Sequence, residues 1–300
     1  MRYKGRDRMK KAFSPRLMLV FSMVCFGTIG YFVRNIDLPS GEIALYRAFF
    51  AILLIGGYMV FTKQRINFKK AKKELLLLAL SGGAMGINWI LLFEAYKHTT
   101  VSVATLCYYF APVIVTLACP ILFKEKMGAK KWLCFIMATL GLGLITGIGG
   151  MGEGDHLRGI LFGISAAFFY ATVVILNKYI KQISGIHRTF LQFVSAFGVL
   201  LPYVLLTDGI NLSSLNGVGW ASLVTVGLLH TGVTYCLYFS ALKDLPGQTA
   251  AVLSYIDPLV AVIVSVTLLD ETITPMQLVG GALILGFTLL NEIKFTPRSR

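Results

Sequence analysis

Ten apolar runs of membrane-spanning length, divided by short breaks, constrain this chain more than any other feature. They cover residues 16–34, 42–62, 74–96, 100–123, 130–148, 157–180, 186–206, 220–242, 247–269 and 275–293. A bilayer-crossing helix needs about 20 mostly apolar residues, because its backbone polar groups must be satisfied internally where water is absent. The longest breaks are a Gly-rich stretch over 147–155 and a second over 207–219, so no soluble domain fits between the runs. Charged residues make up only 14% of the chain. A soluble domain carries roughly 25%. The expected fold is an all-α integral membrane protein of ten transmembrane helices, with lipid as the partner of its surface.

The net charge of +14 does not point to nucleic acid, because the basic residues sit in short clusters between the runs. With the N-terminus placed in the cytoplasm, 24 Lys and Arg fall inside and three (Arg34, Lys97 and Arg158) fall outside. This bias follows the positive-inside rule and predicts a multi-pass protein with both termini cytoplasmic, and the short loops favour a bacterial source, for which the membrane is the cell (plasma) membrane. It also supports the count of ten, since one missed run would invert every later loop. Arg2 to Lys11 resemble a signal-peptide n-region, but no small-x-small cleavage site follows, so the first run reads as a retained helix. The five cysteines all lie in apolar runs, without a CxxC pair. They read as small buried residues, and neither a metal nor a cofactor is expected.

The chain repeats itself. Phe93-Glu94-Ala95-Tyr96-Lys97, Ala111-Pro112-Val113 and Lys124-Glu125 match Phe239-Ser240-Ala241-Leu242-Lys243, Asp257-Pro258-Leu259 and Asp270-Glu271 at an offset of 146 residues. Tyr109 pairs with Tyr255 and Pro112 with Pro258. A weaker match at offset 143 sets the first run on the sixth. Each unit holds five runs, so the second unit is inverted in the membrane. The expected layout is a basic N-terminus (1–15), a first repeat (16–148), a linker (149–156), a second repeat (157–293) and a tail (294–300). Inverted repeats around a central cavity are the build of many secondary transporters.

Polar and aromatic side chains mark candidate substrate contacts. On run four, Thr105, Tyr108, Tyr109, Pro112 and Thr116 share a face. On run eight, Thr231, Thr234, Tyr235 and Tyr238 do, with His230 beside them. Asn88 and Trp89 in run three, Tyr170 and Asn177 in run six, and Tyr255 in run nine complete the set. The bland alternative for any single Thr or Asn is interhelical hydrogen bonding. Asp257, at the middle of run nine, is the sharpest residue: an acid at mid-membrane is expensive and marks function, or else pairs with Arg47 or His230 or stays protonated. Arg47, near one end of run two, reads as snorkelling outward or pairing with Glu94. Glu94 could equally pair with Lys97 or His98. Gly82 with Gly86, Gly143 with Gly147, and Gly159 with Gly163 allow close helix approach or a homodimer face. Pro112, Pro120, Pro202 and Pro258 are expected kinks.

The stretches Gly227-Leu228-Leu229-His230-Thr231-Gly232, Tyr255-Ile256-Asp257-Pro258 and Asp270-Glu271 through Pro275, with Leu45-Tyr46-Arg47 and Tyr109-Phe110-Ala111-Pro112 in the first half, resemble the EamA-type repeat of the drug/metabolite transporter superfamily. The resemblance covers nearly the whole chain. It implies a basket of two inverted five-helix repeats, with runs 1, 3, 4, 6, 8 and 9 around a central cavity and runs 5 and 10 at the periphery. It also implies export of amino acids, metabolites or drugs. The halves have diverged: Phe190 stands opposite Arg47, and Ala111 opposite Asp257. The expected function is a proton- or gradient-coupled exporter of small organic metabolites such as amino acids, with a membrane receptor as the alternative. An enzyme is not expected. Gly152 to Asp155 spell GxGD, but an intramembrane protease needs that Asp within a helix, and Asp155 falls in an expected loop.

Overall fold

The computed structural model describes residues 14–123, 128–146, 154–183, 185–245 and 247–292. The basic N-terminus before residue 14, Glu125, Gly147, most of the linker and the tail lie outside the described residues. The regular structure within them is helical. In chain order the helices are α1 (Pro15–Arg34), α2 (Ser40–Phe61), α3 (Leu75–His98), α4 (Val101–Tyr108), α5 (Ala111–Phe123), α6 (Ala129–Thr146), α7 (Gly154–Tyr179), α8 (Gly185–Leu206), α9 (Gly217–Val224), α10 (Thr234–Asp244), α11 (Gly247–Ser254), α12 (Ile256–Leu268) and α13 (Pro275–Glu292). A short helix, Phe68–Lys73, lies in the basic stretch before α3. Asp155 belongs to the first turn of α7 rather than to a loop.

Helix starts follow capping chemistry. The Ser14 hydroxyl accepts the Leu17 N–H at 3.3 Å, with Pro15 in the first turn. Thr100 caps α4 through Val103 N at 3.2 Å, and Asn216 caps α9 through Gly219 N at 2.8 Å.

Among the described residues, seven helices are long and apolar enough to cross a membrane, and two further apolar helices, Val252–Leu268 and Pro275–Asn291, are shorter. Of the ten expected runs, the first four and the sixth to eighth reach that length and composition among the described residues. Runs four and nine are each broken three residues before a proline. Pro112 lacks an N–H and its ring crowds the Tyr108 carbonyl, so the chain opens at Tyr109 and Phe110. Pro258 does the same to the Ser254 carbonyl, and the chain opens at Tyr255. Pro202 sits inside the continuous α8. Run eight stays helical but widens to i→i+5 turns over Thr225–Val233.

The helices pack into one bundle. α3 runs along α7 and α8, α2 lies on α8 and on the wide turns, and α1 lies on α12 and α10. α6 and α13 lie against each other. A Cβ on Gly141 would stand 2.6 Å from the Gly280 carbonyl oxygen, and one on Gly280 2.5 Å from that of Gly141. The two glycines let the α6 and α13 backbones approach closely. The Gly82/Gly86 face is filled by Gln192, Ser195 and Leu200 of α8, and the Gly159/Gly163 face by Thr99, Ala104 and Cys107. Those glycines serve packing within the chain, not an open dimer face.

Glu74, just before α3, ties the start of that helix to the α7–α8 connection. Its carboxylate accepts N–H groups of Lys181 (2.7 Å), Gln182 (3.0 and 3.1 Å) and Ile183 (3.2 Å). Burial pushes the Glu74 pKa up, but the three backbone donors and nearby Arg188 outweigh it and hold it below the usual carboxylate value. Its stabilisation is thus present above the ordinary carboxylate pKa and lost as pH falls through the lowered folded value. Glu74→Ala is expected to remove about 1–3 kcal/mol at neutral pH, the penalty for orphaned donors. Thermal unfolding in detergent at pH 7 and pH 4 checks this. The gap between variant and wild type should narrow in acid, and a constant gap would clear the carboxylate of the effect.

Candidate functional site

The two proline breaks meet at the middle of the bundle. Tyr109 and Tyr255, the pair related by the repeat, end α4 and α11 with ring centroids 6.4 Å apart. The Tyr109 hydroxyl donates to Asp257 Oδ2 at 2.7 Å and lies 3.4 Å from the Ser254 carbonyl, which Pro258 leaves without a helical N–H partner. Asp257 therefore takes a tyrosine as its partner, not Arg47 or His230. No ion pair with Arg47 or His230 forms among the described residues.

Above this junction lies a cavity of about 280 Å³, close to the small end of ordinary ligand sites, which run from ~300 Å³ upward. Its wall is aromatic: Trp89, Tyr108, Tyr109, Tyr170, Tyr235 and Tyr255 all line it, with Asp257 and Arg47 as its charged groups. Tyr108 and Tyr170 rings sit 5.2 Å apart, and Tyr235 packs against Phe193 at 5.3 Å and Phe26 at 5.2 Å. Rings in such tilted and edge-on contact pack favourably and turn an apolar surface to the cavity.

Four candidates stand elsewhere. Asn88 donates to the Ala166 carbonyl at 2.6 Å and joins α3 to α7. The Asn177 side chain accepts from Gln192 at 2.8 Å, and Gln192 donates to Ser81 at 2.5 Å, linking α7, α8 and α3. Thr234 donates to the Leu229 carbonyl at 2.8 Å within its own helix. His230 bridges Thr28 of α1, at 2.9 Å, to the Thr225 carbonyl, at 3.2 Å. The Asn88, Asn177 and His230–Thr28 bonds join helices, the role small polar residues commonly fill in membranes, while Thr234 bonds back within its own helix. Glu94 also stays out of the cavity wall, 3.6 Å from Lys97 and 3.4 Å from His98.

Arg47 does not snorkel. It is 4% exposed, its Nε donates to Thr231 Oγ1 at 2.8 Å, and its guanidinium lies over Trp89 at 4.3 Å from the ring centroid. The aromatic face and the hydroxyl make an inward position tolerable, and the cavity gives the cation somewhere to point. Phe26, Ile29, Tyr96, Thr105 and Ser254 also line the cavity. The Thr105 face was legible on run four, but nothing in the apolar first run singles out Phe26 or Ile29.

On one side of the junction the two broken runs are tied together. Ser102 N–H donates to Ser265 Oγ at 3.3 Å, joining α4 to α12. The Glu271 carboxylate accepts Arg34 Nη2 at 2.8 Å, Val101 N–H at 2.8 Å and the Ser265 hydroxyl. Arg34 Nη2 also donates to the Thr99 carbonyl at 2.6 Å. At the other end, α5 leans on α7 and α6, while α11 leans on α1 and α13. The broken halves are thus closed together on one side of the junction and held by different neighbours on the other.

The model of a family described as EamA-like transporter family matches residues 14–147 and 157–292. An uncharacterized transporter, YxxF, of Bacillus subtilis is 32% identical over 249 residues, covering 82% of this chain and 79% of its own. An uncharacterized transporter of Archaeoglobus fulgidus is 29% identical over 273 residues, covering 91% and 94%. One solved crystal structure superposes with a TM-score of 0.64 over 93% of this chain and 96% of its own, at 13% identity, a likeness of fold.

Proposed function

This chain belongs to the EamA-like transporter family, and on that premise we propose that it exports small organic metabolites, amino acids among them, by proton-coupled alternating access. The observation that carries the proposal is the junction itself. Two repeat-related helices break beside their prolines at one point, and a carboxylate and a ring of aromatics face the cavity there. A site between inverted repeats can be exposed to either side when one repeat rocks against the other.

In this reading the chain has ten membrane segments, some of them broken. Both termini lie in the cytoplasm of a cell whose plasma membrane it spans. The Arg34–Glu271 end then faces outward, and the chain rests with its outer end closed. Asp257 binds the coupling proton and Tyr109 orients it. The wall of tyrosines and Trp89 takes the apolar part of the cargo.

The test is flux. Purified protein in proteoliposomes should move members of a labelled amino-acid and metabolite panel, and an imposed pH gradient should drive accumulation against the concentration difference. Movement without any response to the gradient would keep the transporter and remove the proton. Binding with no flux under any gradient would make the protein a receptor.

A further inference from the structure

Arg47 carries an unbalanced charge. It lies in the second turn of α2, inside the bundle, and is 4% exposed. A cation out of water is tolerated when hydrogen bonds and opposite charge replace its hydration. Its hydrogen bond goes to the neutral Thr231, and the rings over which it lies, Trp89 and Phe93 (5.6 Å), are neutral too. The carboxylates nearest in sequence or in the cavity are engaged elsewhere. Glu42 takes the Asn211 backbone and side-chain N–H groups (2.9, 3.0 and 3.2 Å), Glu94 faces Lys97 and His98, and Asp257 takes Tyr109. Among the described residues no carboxylate lies within ion-pair distance of Arg47, and no protein acceptor meets its two Nη groups. The side chain forms part of the cavity wall.

We propose that Arg47 is the anion-recognising residue of the transport site and that the cargo is an organic carboxylate. The proposal rests on the transporter reading above and names its substrate class. A guanidinium presents two parallel N–H groups that match the two oxygens of a carboxylate, and Trp89 beneath it fixes the plane of that fork. The charge count selects a monoanion. Among the described residues Arg47 is the cationic side chain of the cavity wall, and no lysine or second arginine joins it there. A phosphate ester, carrying close to two charges at neutral pH, would remain half-balanced. The remainder of the cargo extends along the tyrosines of the wall.

The experiment measures binding to the purified full-length protein by the ligand-induced rise of its unfolding midpoint, and flux in proteoliposomes alongside. The panel has two carbon skeletons, isobutyl and benzyl, each bearing a carboxylate or a carboxamide, with and without an α-amino group. Isopentyl phosphate supplies the dianion arm. The carboxylates should bind, and the matching amides should bind about 10- to 100-fold more weakly, the usual effect of losing charged hydrogen bonds. Arg47→Gln should lose that preference, while Arg47→Lys, which keeps the charge without the fork, should retain part of it. If Arg47→Gln fails to fold, the wild-type panel decides alone. Amides bound as well as acids, a preference for the phosphate, or no carboxylate bound at all would each overturn the proposal. Flux of amides and acids alike would overturn it while leaving the transporter standing. Carboxylate-selective binding without flux would uphold the Arg47 site and sink the transport reading.

Discussion

Asp257→Asn is expected to abolish gradient-driven accumulation while leaving exchange of cargo down its own concentration difference. The substitution keeps the size of the side chain and an oxygen that the Tyr109 hydroxyl can reach, at 2.7 Å in the wild type. It removes the one property that a coupling site needs, the ability to gain and lose a proton. With the membrane potential clamped at zero, one proton moving across a one-unit pH difference is worth about 1.4 kcal/mol, which sets a roughly tenfold cargo ratio at steady state. Wild-type vesicles should approach that ratio, and Asp257→Asn vesicles should settle near unity. Folding is checked by the unfolding midpoint and by retained carboxylate binding. A variant that still accumulates cargo tenfold would return Asp257 to a structural role beside Tyr109.

Glu271→Ala is expected to unlatch the tied side of the junction. In the wild type this carboxylate gathers the end of α1 through Arg34, the start of α4 through Val101 N–H, and the end of α12 through Ser265. The Arg34 pair is partly exposed, 33% and 11% for the two side chains, so solvent screens it. The bonds to Val101 and Ser265 are less accessible and should dominate. Losing charged hydrogen bonds of about 1.5–3 kcal/mol would shift the closed-to-open ratio by at least roughly tenfold. Ser102, 1% exposed beneath the latch, reports the change. With the five native cysteines replaced, Ser102→Cys should react slowly with a membrane-impermeant maleimide and at least about tenfold faster when Glu271→Ala is added. Equal labelling rates would show that the tie is made by packing of α4 on α12 and not by the carboxylate.

Much of the site was legible along the chain. The offset of 146 residues paired Tyr109 with Tyr255 and Pro112 with Pro258, and these pairs form the junction at the cavity floor. Tyr108, Tyr170, Tyr235 and Trp89 declared themselves as large polar-tipped rings in apolar runs, and all line the cavity. Asn88, Asn177, Thr234 and His230 stood out as polar groups in apolar runs too, and they do not line it. A one-dimensional pattern marks a polar group in lipid but not which neighbour satisfies it. Asn88 meets a carbonyl on α7, and His230 meets a threonine on α1, 202 residues away.

The sequence by itself determined that the chain is a helical membrane protein built as a doubled unit, because hydropathy and repetition are written residue by residue. It also set the places where helices break, since a proline acts on the carbonyl four residues before it. Tertiary structure alone decided what the charges do. The α2 backbone would let Arg47 reach outward, and only the arrival of Trp89 from α3 and Thr231 from the wide turns makes the inward position the stable one. Glu271 reads as a loop acid, and it becomes a latch because folding brings Arg34 and Val101 to it from 237 and 170 residues away. Electrostatic energy depends on distance and dielectric in space, and neither is defined until the helices have packed.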